Sequence, residues 1–327
     1  MGKTPGEIVK DYIRKYPKIT ENREMARKLN NDFPTLFASI DSARALVRYY
    51  KGVIGVRERK KPSQEFFTQT AFDKLLEEIN TPVDFDYQVK NFQIATNIKN
   101  LGIINDVHIP LHDKVAMTTA YKYLKQSNID GLLINGDFFD FYHVSRWAKE
   151  YTHFTWRDEK QMCRQELDRI RQLFGDIPIF FKEGNHEERW KSFLMRNAMV
   201  LYDDPEYNLD VIMEAATNKI TWIKGRGLIE YNDLNIAHGH EYKSVMKYFR
   251  QPKYDLAFGH HHITESKVVN SDRGKKIRVY GIGALANIQM TYHPHNDNNH
   301  GCARVERDST DFLFHNLVIN GTKINYK

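Results

Sequence analysis

Apolar residues recur at helical spacing through the first fifty positions and gather into short solid runs later in the chain. Ile8, Val9, Tyr12, Ile13 and Tyr16 fall on one helical stripe. Met25, Ala26 and Leu29 share one face of the segment ENREMARKLNND. Ala43, Leu46, Val47 and Tyr50 repeat at i, i+3, i+4, i+7 in a helix that begins near Ser39. The pattern predicts three helices within residues 1–62, a segment that closes on the basic run VRERKKP. Residues 63–95 read as a connector with one helix around AFDKLLEEI.

From about residue 96 the texture changes. The runs LGIIND, GLLINGD, IPIFFKEGN, LNIAHGH and YDLAFGHHH each end in Gly, Asp, Asn or His. Short, nearly continuous apolar runs are the mark of strands buried on both faces. The helical stretches KVAMTTAYKYLKQ and EKQMCRQELDRIRQLF intervene, so residues 96–327 are expected to form an α/β domain. After residue 275 the pattern turns to strands only: IRVYGIGAL, ARVER, FLFHNLVI and TKINY, with Asn320-Gly321 as a hairpin signal before the last.

Composition narrows the classes. Hydrophobic residues make up 41% of the 327, enough for a substantial core, which excludes wholesale disorder. No apolar run approaches the roughly 18 residues that span a bilayer, so no membrane partner is expected. The N-terminus has no apolar signal-peptide core, and Cys163 and Cys302 lie far apart, which together predict a reducing, cytoplasmic setting. Charge is uneven. Residues 1–62 carry 15 Lys and Arg against 7 Asp and Glu, a net of +8. The whole chain is +6, which leaves 6 − 8 = −2 for residues 63–327. A polyanionic partner is therefore expected for the N-terminal segment alone.

The candidate chemistry lies at the strand ends. They deliver Asp106-Val107-His108, Gly136-Asp137-Phe138-Phe139-Asp140, Gly184-Asn185-His186-Glu187, His238-Gly239-His240 and Gly259-His260-His261-His262. Ligands of open α/β sheets bind outside the carboxyl ends of strands. Five such ends carry oxygen and nitrogen ligands with no Cys among them, which points to Mn, Fe, Zn or Ni. In extended backbone, residues i and i+2 point to one side. On that basis Asp106 and His108 share a metal, His260 and His262 face the site, and either His238 or His240 can do so.

The order D-x-H, G-D-x-x-D, G-N-H-E, H-G, G-H-x-H resembles the calcineurin-like metallophosphoesterase superfamily over roughly residues 100–300. GDFFDFYHVSR and EGNHEERW look like its phage-type members, which would place the protein in a host cytoplasm. The resemblance implies a sandwich of two mixed β-sheets flanked by helices. It implies two divalent ions, manganese foremost. Asp106, His108, Asp137 and His262 would hold one ion. Asp137, Asn185, His238 and His260 would hold the other, with Asp137 bridging through its two oxygens. His186 would contact the substrate phosphate and protonate the leaving oxygen. Asp140 and Glu187 would orient histidines from behind. A bridging hydroxide between the two ions would attack the phosphate ester.

One departure stands out. Many relatives carry Arg directly after G-D-x-x-D, and here Phe141 holds that position. Substrate contact is then expected from Arg146, His143 or His240. Residues 292–300, rich in His and Asn, read as an exposed loop that borders the pocket, with a third metal site as the alternative. Arg44, Arg48 and Lys51 line the third helix opposite its apolar stripe and suit nucleic-acid backbone contact in a helix-turn-helix-like module. The ten residues NDFPTLFASI between the second and third helices exceed the usual 3–4 of that motif. A docking or oligomerisation appendage is the competing reading. A nucleic-acid-directed phosphodiesterase or nuclease is the expected function. The alternative is a phosphatase or phosphodiesterase for phosphoproteins, nucleotides or small molecules.

Overall fold

The computed structural model of the chain describes residues 2–53, 89–146, 154–243, 247–248, 252–270, 274–289, 296–308 and 311–327. The chain divides into two compact units, Met1–Tyr87 and Gln88–Lys327. The expected helix in AFDKLLEEI and the run VRERKKP lie outside the described residues.

The N-terminal unit contains helices α1 (Pro5–Lys15), α2 (Asn22–Asp32) and α3 (Ile40–Tyr50). Their starts follow local chemistry. Thr4 and Glu7 form a capping box around Pro5, and Ser39 accepts from the backbone of Ser42. Val9, Met25, Ala26, Leu29, Phe37, Ala43 and Val47 make a common core. The α2–α3 connection runs over Phe33–Ser39, seven residues, because the helical pattern continues through Asn31 and Asp32. Lys51 is put to another use than the expected row of cations. Its ammonium donates to Ile19 O (3.1 Å) and Thr20 O (3.0 Å), closing the end of α3 onto the loop before α2. Arg44 and Arg48 remain half-buried on α3.

Among the described residues, the C-terminal unit holds two mixed sheets. One has seven strands in the order β13-β12-β11-β2-β3-β4-β5. Its parallel half is β2 (Asn100–Ile104), β3 (Gly131–Asn135), β4 (Ile179–Lys182) and β5 (Ile220–Ile223). Its antiparallel half is β11 (His300–Arg307), β12 (Phe312–Asn320) and β13 (Lys323–Tyr326). The six-stranded sheet runs β1-β6-β7-β8-β10-β9. It contains β1 (Phe92–Gln93), β6 (Ile229–Tyr231), β7 (Leu234–Ala237), β8 (Leu256–Phe258), β9 (Glu265–Asn270) and β10 (Lys276–Gly281). Helices α4 (Lys114–Gln126), α5 (Trp156–Phe174), α6 (Glu187–Asn197) and α7 (Leu209–Ile212) complete the unit. The expected two-sheet sandwich with flanking helices is what the chain forms.

Strand periodicity explains the layering. Leu101, Ile103, Leu133 and Phe180 face the other sheet and pack with Ile229, Tyr231, Leu234 and Ile236. The alternate residues Ile104, Leu132, Ile134, Ile179 and Phe181 pack against Met117 and Leu124 of α4 and Leu167 and Ile170 of α5. Each of β2, β3 and β4 is thus apolar on both faces, which is why their sequences read as unbroken runs. No helix among the described residues is long and apolar enough to cross a membrane.

Candidate metal centre

The centre lies where strands stop. Asp106 and His108 follow β2, Asp137 follows β3, and Asn185 and His186 follow β4. His238 follows β7, and His260 and His262 follow β8. One group descends from the seven-stranded sheet and the other from the six-stranded sheet. The extended geometry expected around Asp106 and His260 is not adopted. Asp106 (φ 52°), His108 (54°), Asp137 (50°), His260 (64°) and His262 (56°) are all left-handed. Pairing ends at Ile104 and Phe258, so no ladder holds these residues extended. Other bonds hold them instead: Asp106 N donates to Gly136 O (3.1 Å) and His108 N to Asp137 O (3.0 Å). Left-handed non-glycine residues cost on the order of 1–3 kcal/mol each and concentrate at functional sites.

The side chains converge. Asp106 Oδ1 lies 3.2 Å from His262 Nε2 and 3.9 Å from His108 Nε2. Asp137 Oδ2 lies 3.2 Å from His238 Nε2 and 3.9 Å from His108 Nε2. Asn185 Oδ1 is 3.1 Å from His238 Nε2. Ligand atoms fall within 4.8 Å of one another in the sets Asp106, His108, His262; Asp137, His238, His260; and His108, Asp137, His186. Asp106 Oδ1 and His108 Nε2 are buried and make no hydrogen bond. Orphaned buried polar atoms are costly, and a cation between them satisfies both. The donor set therefore fits a pair of divalent ions.

Asp137 differs in detail from a carboxylate giving one oxygen to each side. Its Oδ1 accepts from His186 N at 2.8 Å. The Nε2 atoms of His108, His186 and His238 all face Oδ2. Gly184 makes this approach possible, because a Cβ there would land on Asp137 Oδ1 and N. Gly259 does the same for Asp106 Oδ2. Gly184→Ala is expected to cost about 1–3 kcal/mol of stability by overpacking and to lower metal content. Thermal unfolding and elemental analysis of one sample check both.

Electrostatics favour bound cations. Burial raises Asp106 and Asp137, yet His262 acting on Asp106, and His186 and His238 acting on Asp137, outweigh it and hold both carboxyls below the usual range. Burial pushes His186 down to about 3 and His260 to about 4, so both are neutral. For His238 burial is overcome by Asp137, and the group rises to about 10, so a proton and a cation compete for one lone pair. His238 Nδ1 donates to Asn135 O (2.8 Å), and His108 Nδ1 donates to Asp140 Oδ1 (3.2 Å). Each bond fixes a tautomer that presents Nε2 to the centre.

Glu187 is turned to a different task from the one expected. Its Oε2 accepts from Asp137 N (2.9 Å) and Gly184 N (2.7 Å), and its Oε1 from Phe138 N (2.9 Å) and Phe139 N (3.2 Å). Four amides from two loops need an acceptor there, so the carboxylate orders backbone and not a histidine. Phe141 has a physical reason for replacing arginine. It is fully buried and fills an aromatic layer with Phe139 and Trp156.

Of the expected substrate residues, His240 stays beside the ligands, its ring 5.4 Å from that of His238. His143 packs edge-on against Phe154 at 5.2 Å, and Arg146 is exposed beyond it. His240 turns its Nε2 to Glu188 Oε1 (3.1 Å), while His238 joins the ligand sets. Of the loop at 292–300, residues 292–295 lie outside the described residues, and Asn299 N donates to His262 O at 2.8 Å. Three residues that the sequence reading did not single out also matter. Arg189 donates to Asp140 O (2.8 Å) and His186 Nε2 (2.7 Å). Lys182, fully buried, pairs with Glu241 at 3.0 Å. The signal for Arg189 was its place three residues after His186, one turn along α6.

Comparison with known proteins bears on this geometry. The Calcineurin-like phosphoesterase family model matches residues 99–276, more than half of the chain. The Gene 54 protein of Mycobacterium phage L5 is 29% identical over 109 residues, 32% of this chain and 42% of that protein. The Gene 54 protein of Mycobacterium phage D29 is 27% identical over the same shares. The match thus spans under half the length of these curated relatives. Among solved structures, Vacuolar Protein Sorting 29 from Cryptosporidium parvum aligns with 70% of this chain and 96% of its own at 13% identity and a TM-score of 0.40. A dimetal phosphatase from Danio rerio aligns over 67% and 96% at 9% identity and a TM-score of 0.33.

Proposed function

Because this chain belongs to the calcineurin-like phosphoesterase family, we propose that it hydrolyses phosphate esters at a dinuclear centre and acts on nucleic acid. The observation that carries the reading is the overlap of the ligand sets at His108 and Asp137, whose Oδ2 faces both His108 and His238, with Asp106 Oδ1 and His108 Nε2 buried and without a hydrogen bond. Asp106, His108 and His262 would hold one ion and Asn185, His238 and His260 the other, with Asp137 available to both. The nitrogen-rich donor set favours manganese, iron, zinc or nickel. When bound, such ions supply Lewis-acid polarisation of the phosphoryl group and activation of water.

The chain's own residues supply the rest. Asp140 and the Asn135 carbonyl hold His108 and His238 in the tautomer that ligates. Asn185 ligates without adding negative charge, which keeps the centre electrophilic. His186 borders the site as the N-cap residue of α6, where a helix N-terminus favours anions. Nucleic acid as the substrate is supported by the +8 charge of residues 1–62, concentrated beside a chain that is otherwise −2.

The test compares an aryl phosphodiester, an aryl monoester, nucleotides and DNA as substrates of the metal-loaded protein. Diester and DNA turnover are expected, and turnover of monoesters alone would replace the nucleic-acid reading with a phosphatase. Deletion of residues 1–62 is expected to weaken DNA binding several-fold. It should also flatten the log–log salt slope by about 2, if Arg44 and Arg48 each neutralise one phosphate. Fluorescence anisotropy across a salt series measures both.

A further inference from the structure

One charge at the edge of the centre has no role in the chemistry so far. Arg189 Nη1 donates to Asp140 O at 2.8 Å, and Nη2 donates to His186 Nε2 at 2.7 Å. A guanidinium has donors and no acceptor, so His186 Nε2 must be the acceptor. His186 Nδ1 then carries the proton and donates to the same Asp140 carbonyl at 2.7 Å. Both ring nitrogens are engaged, and Nε2 holds no proton to hand to a leaving group. That nitrogen lies 3.8 Å from Asp137 Oδ2, which places the guanidinium one imidazole away from the ligand sets.

The nearby acid does not cancel this cation with a direct pair. Asp140 Oδ1 faces His108 Nδ1 at 3.2 Å and His186 Nδ1 at 3.5 Å, and Arg189 bonds to the Asp140 carbonyl instead. Arg189 is half-buried, so its charge is only partly screened by solvent. A guanidinium stays protonated at any working pH and offers five N–H donors in a planar fork that matches phosphate. Two of the five are used by Asp140 O and His186.

We infer that Arg189 is the residue that contacts the substrate's phosphoryl oxygens, and that His186 is a positioning residue that aims it. The inference rests on the phosphoesterase reading above. It assigns to α6 the anion contact that Phe141, buried and uncharged, does not provide. It also makes His186 and Arg189 one functional unit, whose removal in two steps should be non-additive.

The experiment uses the full-length, metal-loaded chain with Arg189→Gln, Arg189→Lys, His186→Ala and the Arg189→Gln, His186→Ala double variant. Metal content, kcat and KM for an aryl phosphodiester, and inhibition by inorganic phosphate are measured for each. Arg189→Gln is expected to keep its metal, to lose about 10²-fold in kcat/KM, and to raise the phosphate inhibition constant at least about tenfold. Arg189→Lys should recover part of the phosphate affinity, since it restores charge without the fork. The double variant should be no worse than the worse single one. Unchanged phosphate inhibition in a metal-replete Arg189→Gln, additive losses, or loss of metal from both Arg189 variants would each overturn the assignment. A wild-type chain that is metal-replete yet inert toward every phosphoester would sink the underlying reading, a distinct result.

Discussion

Asp137→Asn is expected to empty the centre of metal and to lower kcat/KM for an aryl phosphodiester by at least about 10³-fold, given several kcal/mol of metal-assisted stabilisation. The substitution is isosteric, and the fold should survive it. The amide oxygen can still accept from His186 N, the bond now made by Oδ1 at 2.8 Å. The amide nitrogen then replaces Oδ2, the atom 3.2 Å from His238 Nε2 and 3.9 Å from His108 Nε2. Two N–H groups would point where both ligand sets need a lone pair and a negative charge. Elemental analysis and steady-state kinetics on one preparation check the expectation. A metal-replete, active Asp137→Asn would show that the two sets do not share this oxygen.

Lys182→Met is expected to be the most destabilising of these changes. Lys182 is fully buried at the end of β4, where its ammonium donates to Gly225 O (2.9 Å) and pairs with Glu241 Oε1 (3.0 Å). Glu241 in turn accepts from His238 N (3.1 Å) and Gly239 N (2.6 Å). Removing the lysine strands a buried carboxylate, a loss of about 3–5 kcal/mol. In a unit of this size that corresponds to a fall in Tm of roughly 10 °C. Calorimetry reads it directly, and adding Glu241→Gln should cost less than the sum of the two single changes, since neither charge is then left alone. The pair also predicts a pH dependence. Burial raises the Glu241 carboxyl, but Lys182 and His240 outweigh it and hold the group at about 2, below its ordinary 4.5. A depressed folded-state pKa stabilises above the unfolded value, so the contribution is complete at neutral pH and drains away as pH falls from 4.5 toward 2. A Tm of Lys182→Met within 2 °C of wild type, by that roughly 2–4 °C per kcal/mol, would mean that the pair contributes nothing.

Much of the fold was legible because the strands that matter are apolar on both faces. The runs ending at Asp106, Asp137, Asn185, His238 and His260 announced both the sheets and where the chemistry would lie. What stayed hidden has a common physical character. β1 (FQ), β5 (ITWI) and β6 (IEY) mix buried and solvent-reached positions, so none of them stands out as a solid apolar run. The left-handed turns at the ligands depend on where pairing stops, and spacing alone does not reveal that. The family resemblance cast Glu187 as a partner that orients a histidine. It does not show four amides converging from two separate loops. Lys182 drew no notice within the run IPIFFKEGN, since nothing local says that Glu241, far along the chain, will meet it in the interior. The α2–α3 gap seemed longer than it is because Asn31 and Asp32 are usual turn formers that here extend a helix.

The division of ligands between two layers has a mechanical consequence. A cation gripped by Asp106 from one sheet and His262 from the other behaves like a rivet through stacked plates. Any sliding of one layer over its neighbour must stretch that grip, so occupancy becomes a gauge of how well the layers are registered. Thermal melting should accordingly climb with free-ion concentration by RT ln(1 + [L]/Kd), even for ions that fit the donors yet support no turnover.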